Sequence, residues 1–291
     1  MVLQFLMNGL TSGALYALIA VGFALIYNGT RILHLAHGAV FTFAGYAMYV
    51  LAIILNINIV IAFLLSIVMT AAVGASCEWL VYKPLRKRGA GDAGDLVASI
   101  GLLTLIEAIF AILFTTDTKH LHLGALSTYT FGEVVLTTLH LIISAVAIVL
   151  FILLQLFLTR TRYGRGVRAI ADNPHLALVL GVNTGHVRIL LFAVGSALAG
   201  VASCLISYDL GVRPQMGLSI MFVALVAVIV GGIGYLPGAA AGGVILGLLQ
   251  QLALWHLSAR WQEVVVFGAL VIFLVFRPQG LFGARLLVRR A

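Results

Sequence analysis

Apolar residues run along this chain in long stretches separated by short polar joints. Nine such stretches are legible, roughly Leu3–Tyr27, Leu33–Leu55, Ile59–Tyr82, Leu96–Phe114, Val135–Leu158, Ile189–Tyr208, Leu218–Gly231, Gly238–Trp255 and Val264–Phe276. A run of about 18 or more apolar residues is long enough for a helix to cross hydrocarbon. A helix also satisfies its own backbone hydrogen bonds there. The pattern predicts an all-α fold: a polytopic membrane helical bundle of eight to ten transmembrane helices, forming a single transmembrane domain over residues 1–291. The seventh stretch is short for a full span. The Gly-Gly-Ile-Gly-Tyr-Leu-Pro-Gly sequence of Gly231–Gly238 follows it and predicts a break or a re-entrant turn.

Composition agrees with a bilayer environment. Hydrophobic residues make up 63% of the chain and charged residues 9%, too few charges to cover a soluble surface. The net charge of +8 does not point to nucleic acid, because the basic residues sit in short clusters between apolar runs. One orientation puts Arg31, the Lys83–Arg88 cluster, the Arg160–Arg188 loop and the tail from Arg277 in the cytoplasm. That orientation places 14 of the 17 Lys and Arg residues inside and leaves Lys119, Arg213 and Arg260 outside. Nine crossings, with the N-terminus outside and the C-terminus inside, satisfy every cluster. Cys77 and Cys204 lie in apolar stretches and have no metal-ligand spacing.

Residues 159–188 form the one long cytoplasmic connection, and it carries structural signals of its own. Asn173-Pro174 reads as an N-cap followed by proline at the first helical position. His175–Leu180 then forms a short helix, with Gly181 as its C-cap, and Gly166–Asp172 forms another before it. The segment presents Arg160, Arg162, Arg165 and Arg168 together with Leu176, Leu178, Val179 and Leu180. Two readings fit: a membrane-surface loop meeting anionic lipid, or a docking element for a cytoplasmic partner.

Polar and small residues inside the apolar stretches give further candidates. Asn8, Ser12 and Tyr16 recur every four residues in the first stretch and line one stripe, which either faces a pore or bonds neighbouring helices. Glu107 is read as the carboxylate at the centre of a span, where an acid is protonated, paired or facing water. Glu78 is read as an interface anchor one turn from Lys83. His34 and His37 are read as sharing one helical face, with helix-end hydrogen bonding favoured over a metal site because further ligands are lacking. Gly234, Gly238 and Gly242 repeat every four residues, a spacing that lets helices pack closely in lipid. Gly232 and Gly234 interrupt the pattern where a translocation path would run. His37-Gly38-Ala39 with Gly45 offers a weak counterpart to Pro237-Gly238-Ala239 with Gly242. There is no G-x-x-x-x-G-K-S/T phosphate loop and no Ser-His-Asp or metal constellation.

Several of these segments together resemble the LivH-type permeases of branched-chain amino acid importers, nearly end to end. The resemblance is carried by Asn8-Gly9-Leu10-Thr11-Ser12-Gly13-Ala14-Leu15-Tyr16-Ala17-Leu18, by Leu35-Ala36-His37-Gly38, and by Arg160-Thr161-Arg162-Tyr163-Gly164-Arg165. It continues in Leu180-Gly181-Val182-Asn183-Thr184, in Gly231-Gly232-Ile233-Gly234 with Pro237-Gly238-Ala239, and in Arg277-Pro278-Gln279-Gly280-Leu281-Phe282-Gly283. Ala39 stands where that family usually has Glu. Ala177-x-x-x-Gly181 is similar to part of the general importer coupling motif, with His175 where the motif has Glu.

The resemblance implies a transport subunit of a bacterial inner membrane rather than an enzyme, working by alternating access on branched-chain amino acids. Urea, short amides or another small polar solute is the alternative cargo; a stand-alone channel or secondary carrier is the alternative mechanism. The implied partners are a second, LivM-like permease, two ATPase subunits that bind ATP and Mg, a periplasmic substrate-binding protein and membrane lipid. This chain is then expected to bind no cofactor itself. Arg165, Arg168, His175, Ala177, Leu178, Gly181 and Asn183 are the expected ATPase-coupling residues. Asn8, Ser12, Tyr16, His37, Glu107, Gly232 and Gly234 are the expected path residues.

Overall fold

The computed structural model describes residues 2–121, 127–132, 134–255 and 257–283. The element order is α1 (Val2–Thr30), α2 (His37–Tyr49) with a π-helical extension at Val50–Ile54, and α3 (Ile59–Ser76) with a second π-helical turn at Cys77–Tyr82. There follow α4 (Lys83–Lys87), α5 (Gly91–Phe114), strands β1 (Thr128–Phe131) and β2 (Val134–Thr137), and α6 (Thr138–Arg160). The chain continues through α7 (Arg162–Asp172), α8 (Pro174–Val179), α9 (Thr184–Leu210), α10 (Met216–Gly231) and α11 (Leu236–Ala253). A 3-10 turn at Ala259–Trp261 leads into α12 (Gln262–Phe276).

Each of the nine apolar stretches is helical. Seven are long and apolar enough to cross a membrane, while α10 and α12, with 16 and 15 residues, are shorter. The surfaces agree. Val68, Ile112 and Val275 are 65%, 82% and 70% exposed on α3, α5 and α12. Faces this apolar need lipid or a partner helix to cover them. The chain is therefore a multi-pass membrane protein.

The departures are local. The apolar pattern assigns the residues from Val135 onward to the fifth helix. Val134–Thr137 pair instead with β1 in an antiparallel hairpin, Phe131 opposite Val134. Gly132 at φ 61° allows the tight turn, and the threonine- and valine-rich arms favour extended backbone. A second departure is that α5 and α9 start earlier than their apolar runs. Asn183 caps α9, its side chain accepting from His186 N at 3.1 Å.

The described chain divides into two compact units. One takes in Leu25–His122 and Phe151–Met221. Its core is the mutual packing of α2, α3 and α9. Thr70 of α3 lies against Gly200 of α9, and Phe192 packs among Ile26, Val40 and Tyr82. Across α2 and α5, Tyr46 and Phe110 stack with ring centroids 4.5 Å apart.

The other unit takes in Met1–Ala24, Leu123–Leu150 and Phe222–Ala291. There Gly9 and Gly13 of α1 meet Val244, Gly247 and Leu248 of α11 so closely that a methyl on Gly13 would sit 2.8 Å from Val244 Cα. Gly238 and Gly242 of α11 press against Gly231 and Ala227 of α10 in the same way. In lipid, where apolar burial does not by itself drive association, such backbone approach supplies the packing. The Gln4 side chain clamps the hairpin: it accepts from Val135 N at 2.7 Å and donates to Val135 O at 3.0 Å.

Candidate functional site

The segment after α6 folds as its caps prescribe. Thr161 Oγ1 accepts from Gly164 N at 2.9 Å and starts α7. Gly164 then lies so close to the Phe157 and Leu158 backbone that a side chain there would collide, so α7 folds tightly back on the end of α6. Its Val167 and Ile170 are buried, while Arg165 and Arg168 are exposed. Asn173 Oδ1 accepts from Leu176 N at 3.0 Å, with Pro174 in the first turn of α8. Ala177 is the one α8 residue turned inward; His175, Leu176, Leu178 and Val179 all face out. Gly181 closes the helix at φ 81° in open space, its N–H donating to Leu178 O. Arg165, Arg168, His175, Ala177, Leu178, Gly181 and Asn183 thus occupy one continuous capped element, and its outer face combines arginines with bare leucine and valine. Val179 is 82% exposed, which outside lipid calls for a protein cover.

The glycine-rich interruption is a true helix break. Gly232 and Gly234 adopt φ 106° and 97°, between the end of α10 and the start of α11. The free carbonyls at the end of α10 are taken up by the segment after α12: Leu281 N donates to Val230 O at 2.8 Å and Phe282 N to Gly231 O at 3.3 Å. Gly280, at φ 75°, allows that approach against Gly232. Two motifs nearly 50 residues apart in the sequence therefore form one joint.

The remaining expected path residues separate. Asn8, Ser12 and Tyr16 lie on α1 in the same unit as Gly232 and Gly234; His37 and Glu107 belong to the other. Asn8 Oδ1 accepts from Gln4 at 3.0 Å, and Gln251 Nε2 approaches Ser12 Oγ at 3.5 Å. Glu107 is half-buried on α5, and its Oε1 has no hydrogen-bond partner among the described residues.

Two readings of the sequence are corrected here. His34 does not share a helix with His37. It lies in the irregular segment before α2, fully buried, its Nδ1 2.8 Å from the Tyr82 hydroxyl. Burial, and then the neighbouring His37, hold its imidazole well below the ordinary range, so it stays neutral. Glu78 is not an interface anchor on Lys83: it is 1% exposed and paired through both carboxylate oxygens with Arg86. Asp95 is buried on α5 and, with Arg188 of α9, interacts electrostatically with the Glu78–Arg86 pair. The clue to this cluster was the position of Asp95, one residue ahead of its apolar run.

A cavity not foreseen from the sequence opens where α9 gives way to α10. It encloses about 280 Å³ and is lined by Phe41, Ile206, Met216 and Ile220, with Thr118 and Arg213 among its polar lining residues. Lys119 and Val212 form a two-way backbone bridge beside it, each N–H donating to the other's carbonyl at 2.8 Å.

Comparison with known proteins bears on what this arrangement serves. A family model described as the permease component of the branched-chain amino acid transport system matches residues 5–275. The chain is 33% identical over 297 residues to the high-affinity branched-chain amino acid transport permease BraD of Pseudomonas aeruginosa, covering 97% of this chain and 95% of that protein. It is likewise 33% identical over 297 residues to the LivH permease of Escherichia coli K12, with the same coverage. Among solved structures, PsaBC from Streptococcus pneumoniae in complex with a Fab aligns with a TM-score of 0.54 at 14% identity, covering 97% of this chain and 95% of that one, a likeness of fold.

Proposed function

Since the chain belongs to the family of branched-chain amino acid transport permeases, we propose that it is the transmembrane permease subunit of an ATP-driven importer for branched-chain or related amino acids. The observation that carries the substrate class is the end-to-end similarity, 33% over 97% of the chain, to permeases named for those solutes. In this reading the protein lies in a bacterial inner membrane, N-terminus outside and C-terminus in the cytoplasm, the orientation that the distribution of basic residues favours. A periplasmic binding protein delivers the solute at the outer face. A second, LivM-like permease completes the path, and two ATPase subunits bind ATP and Mg.

The subunit itself does no covalent chemistry. Its α7–α8 element takes the movement of an ATPase subunit through Leu178 and its neighbours, with Arg165 and Arg168 pairing at the rim, where charge affects association more than core affinity. Ala177 anchors the element inward, and Asn183 joins it to α9, so displacement of α8 is passed to the α2–α3–α9 core. The helix break at Gly232 and Gly234 supplies a joint about which helices can change angle.

The test is uptake into proteoliposomes that hold the full complex, supplied with binding protein, internal ATP and a panel of leucine, isoleucine, valine, urea and acetamide. Saturable, ATP-dependent uptake of the branched amino acids is expected. Uptake of urea or acetamide alone, or uptake independent of ATP, would overturn the reading.

A further inference from the structure

The cavity at the α9–α10 interruption combines features that no packing role requires. Its walls are apolar: Phe41 from α2, Ile206 from α9, Met216 and Ile220 from α10. One cation, Arg213, stands in its lining on the five-residue interruption between the two helices. Arg213 is exposed and, among the described residues, has no carboxylate partner within ion-pairing distance. It is also one of three Lys and Arg residues that the orientation leaves on the outer side.

The site is held in place on two sides. The Lys119–Val212 bridge pins the Thr118 segment to the interruption, and Gly211, at φ 84°, sits so near the Lys119 carbonyl that a methyl would lie 2.8 Å from it. On the inner side Gly38 of α2 and Gly217 of α10 touch through their backbones, and Thr42 Oγ1 donates to Pro214 O at 3.4 Å. The first turn of α10, starting at Met216, has amide groups without intrahelical acceptors and a positive partial charge. Arg213 and the first turn of α10, through Met216 and Ser219, thus both border the apolar pocket. Its volume of about 280 Å³ lies just below the range of drug-sized ligand sites, which begins at about 300 Å³, so it suits one small molecule rather than a peptide.

Resting on the transport reading above, we propose that this cavity is the outer binding pocket that first receives the amino acid from the binding protein. The carboxylate meets Arg213 and the start of α10, and the branched side chain lies on Phe41, Ile206 and Ile220. Such a site discriminates: a neutral amide or urea has no carboxylate for the arginine, and a polar side chain leaves its hydrogen bonds unmade against the apolar wall. Binding here need only be weak, because a pocket that holds the solute tightly would slow its onward passage.

The experiment uses the full complex in proteoliposomes and the variant Arg213→Cys. Removing one charge-assisted contact should lower leucine uptake at limiting binding protein about tenfold or more, while ATP hydrolysis stimulated by the binding protein is retained. Cys77 and Cys204 are buried, and the effect of a thiol reagent added outside is read as the difference from the same complex without the Arg213→Cys change. A cationic aminoethyl thiosulfonate should restore uptake and an anionic sulfonatoethyl one should not; leucine should slow both modifications. Ile220→Trp, which fills the pocket and keeps the charge, should also block uptake with ATP hydrolysis intact.

Normal uptake in Arg213→Cys, equal response to both reagents, or normal uptake in Ile220→Trp would overturn the pocket while leaving the transport reading standing. Protection of the introduced thiol by anionic lipid and not by leucine would assign the site to lipid and overturn it too. A wild-type complex that takes up none of the branched amino acids would overturn the transport reading, and with it the pocket.

Discussion

Glu78 and Arg86 are eight residues apart, about 12 Å of rise along a regular helix, and their long side chains close that gap beside the π-helical turn at Cys77–Tyr82. Taking both ions out of water is expensive, and their attraction offsets that cost only while both are present. Removing one partner should therefore cost about 3 kcal/mol. We expect Glu78→Gln or Arg86→Met to lower the thermal unfolding temperature of the detergent-purified protein by several degrees, and the double variant to regain part of the loss. A single variant that melts with the wild type would show the pair to be incidental. His34, buried beside this cluster, has its pKa lowered, so protonation opposes the folded state. Its contribution to stability is present above the unfolded pKa near 6.5 and is lost as pH falls below it.

Among the elements, α8 depends most on local chemistry. It has only six residues, too few to be stable alone. The Asn173 cap, Pro174 in its first turn and Gly181 at its end supply what length cannot. At φ 81° the Gly181 position would strain a β-branched residue by about 1–3 kcal/mol, although the space around it is open. Gly181→Val should thus disturb the backbone of the element. Leu178→Asp should keep the fold and spoil the exposed apolar face. Both are expected to leave the permease in the membrane while lowering transport and stimulated ATP hydrolysis together. Wild-type transport by both, with ATPase subunits bound, would exclude α8 as the coupling element.

At the scale of the molecule, topology follows from the parity of the crossings. An odd number of spans puts the termini on opposite sides. If the two shorter apolar helices cross as well as the seven long ones, the Lys83–Arg88 cluster, the α7–α8 element and Arg277 are expected on one side. A single cysteine at position 165 should label only from the cytoplasm and one at position 260 only from outside. Both positions are exposed. Labelling of position 165 from outside would reverse or break the arrangement. A third label beside α10, at 16 residues the shortest but one of the apolar helices, separates nine crossings from a paired miscount.

Much of this protein is written in local order. Nine apolar stretches set where nine of the twelve described helices lie, because each satisfies its own hydrogen bonds in lipid. The caps at Asn173, Gly181 and Asn183 set α8 and the start of α9, because a cap involves only residues within a turn of it. The glycines of Gly231–Gly238 fixed where a helix would break. What required the tertiary structure was every feature made by residues distant in sequence. Val134–Thr137 became a strand because β1 lay opposite to pair with it. Glu78 found Arg86 rather than Lys83, and His34 found Tyr82. The segment at Gly280–Phe282 came to cap α10. The cavity beside Arg213 exists only because α2, the Thr118 segment and the α9–α10 interruption converge. Periodicity records which residues avoid water; partners and cavities come from how the helices pack, which local sequence order does not encode.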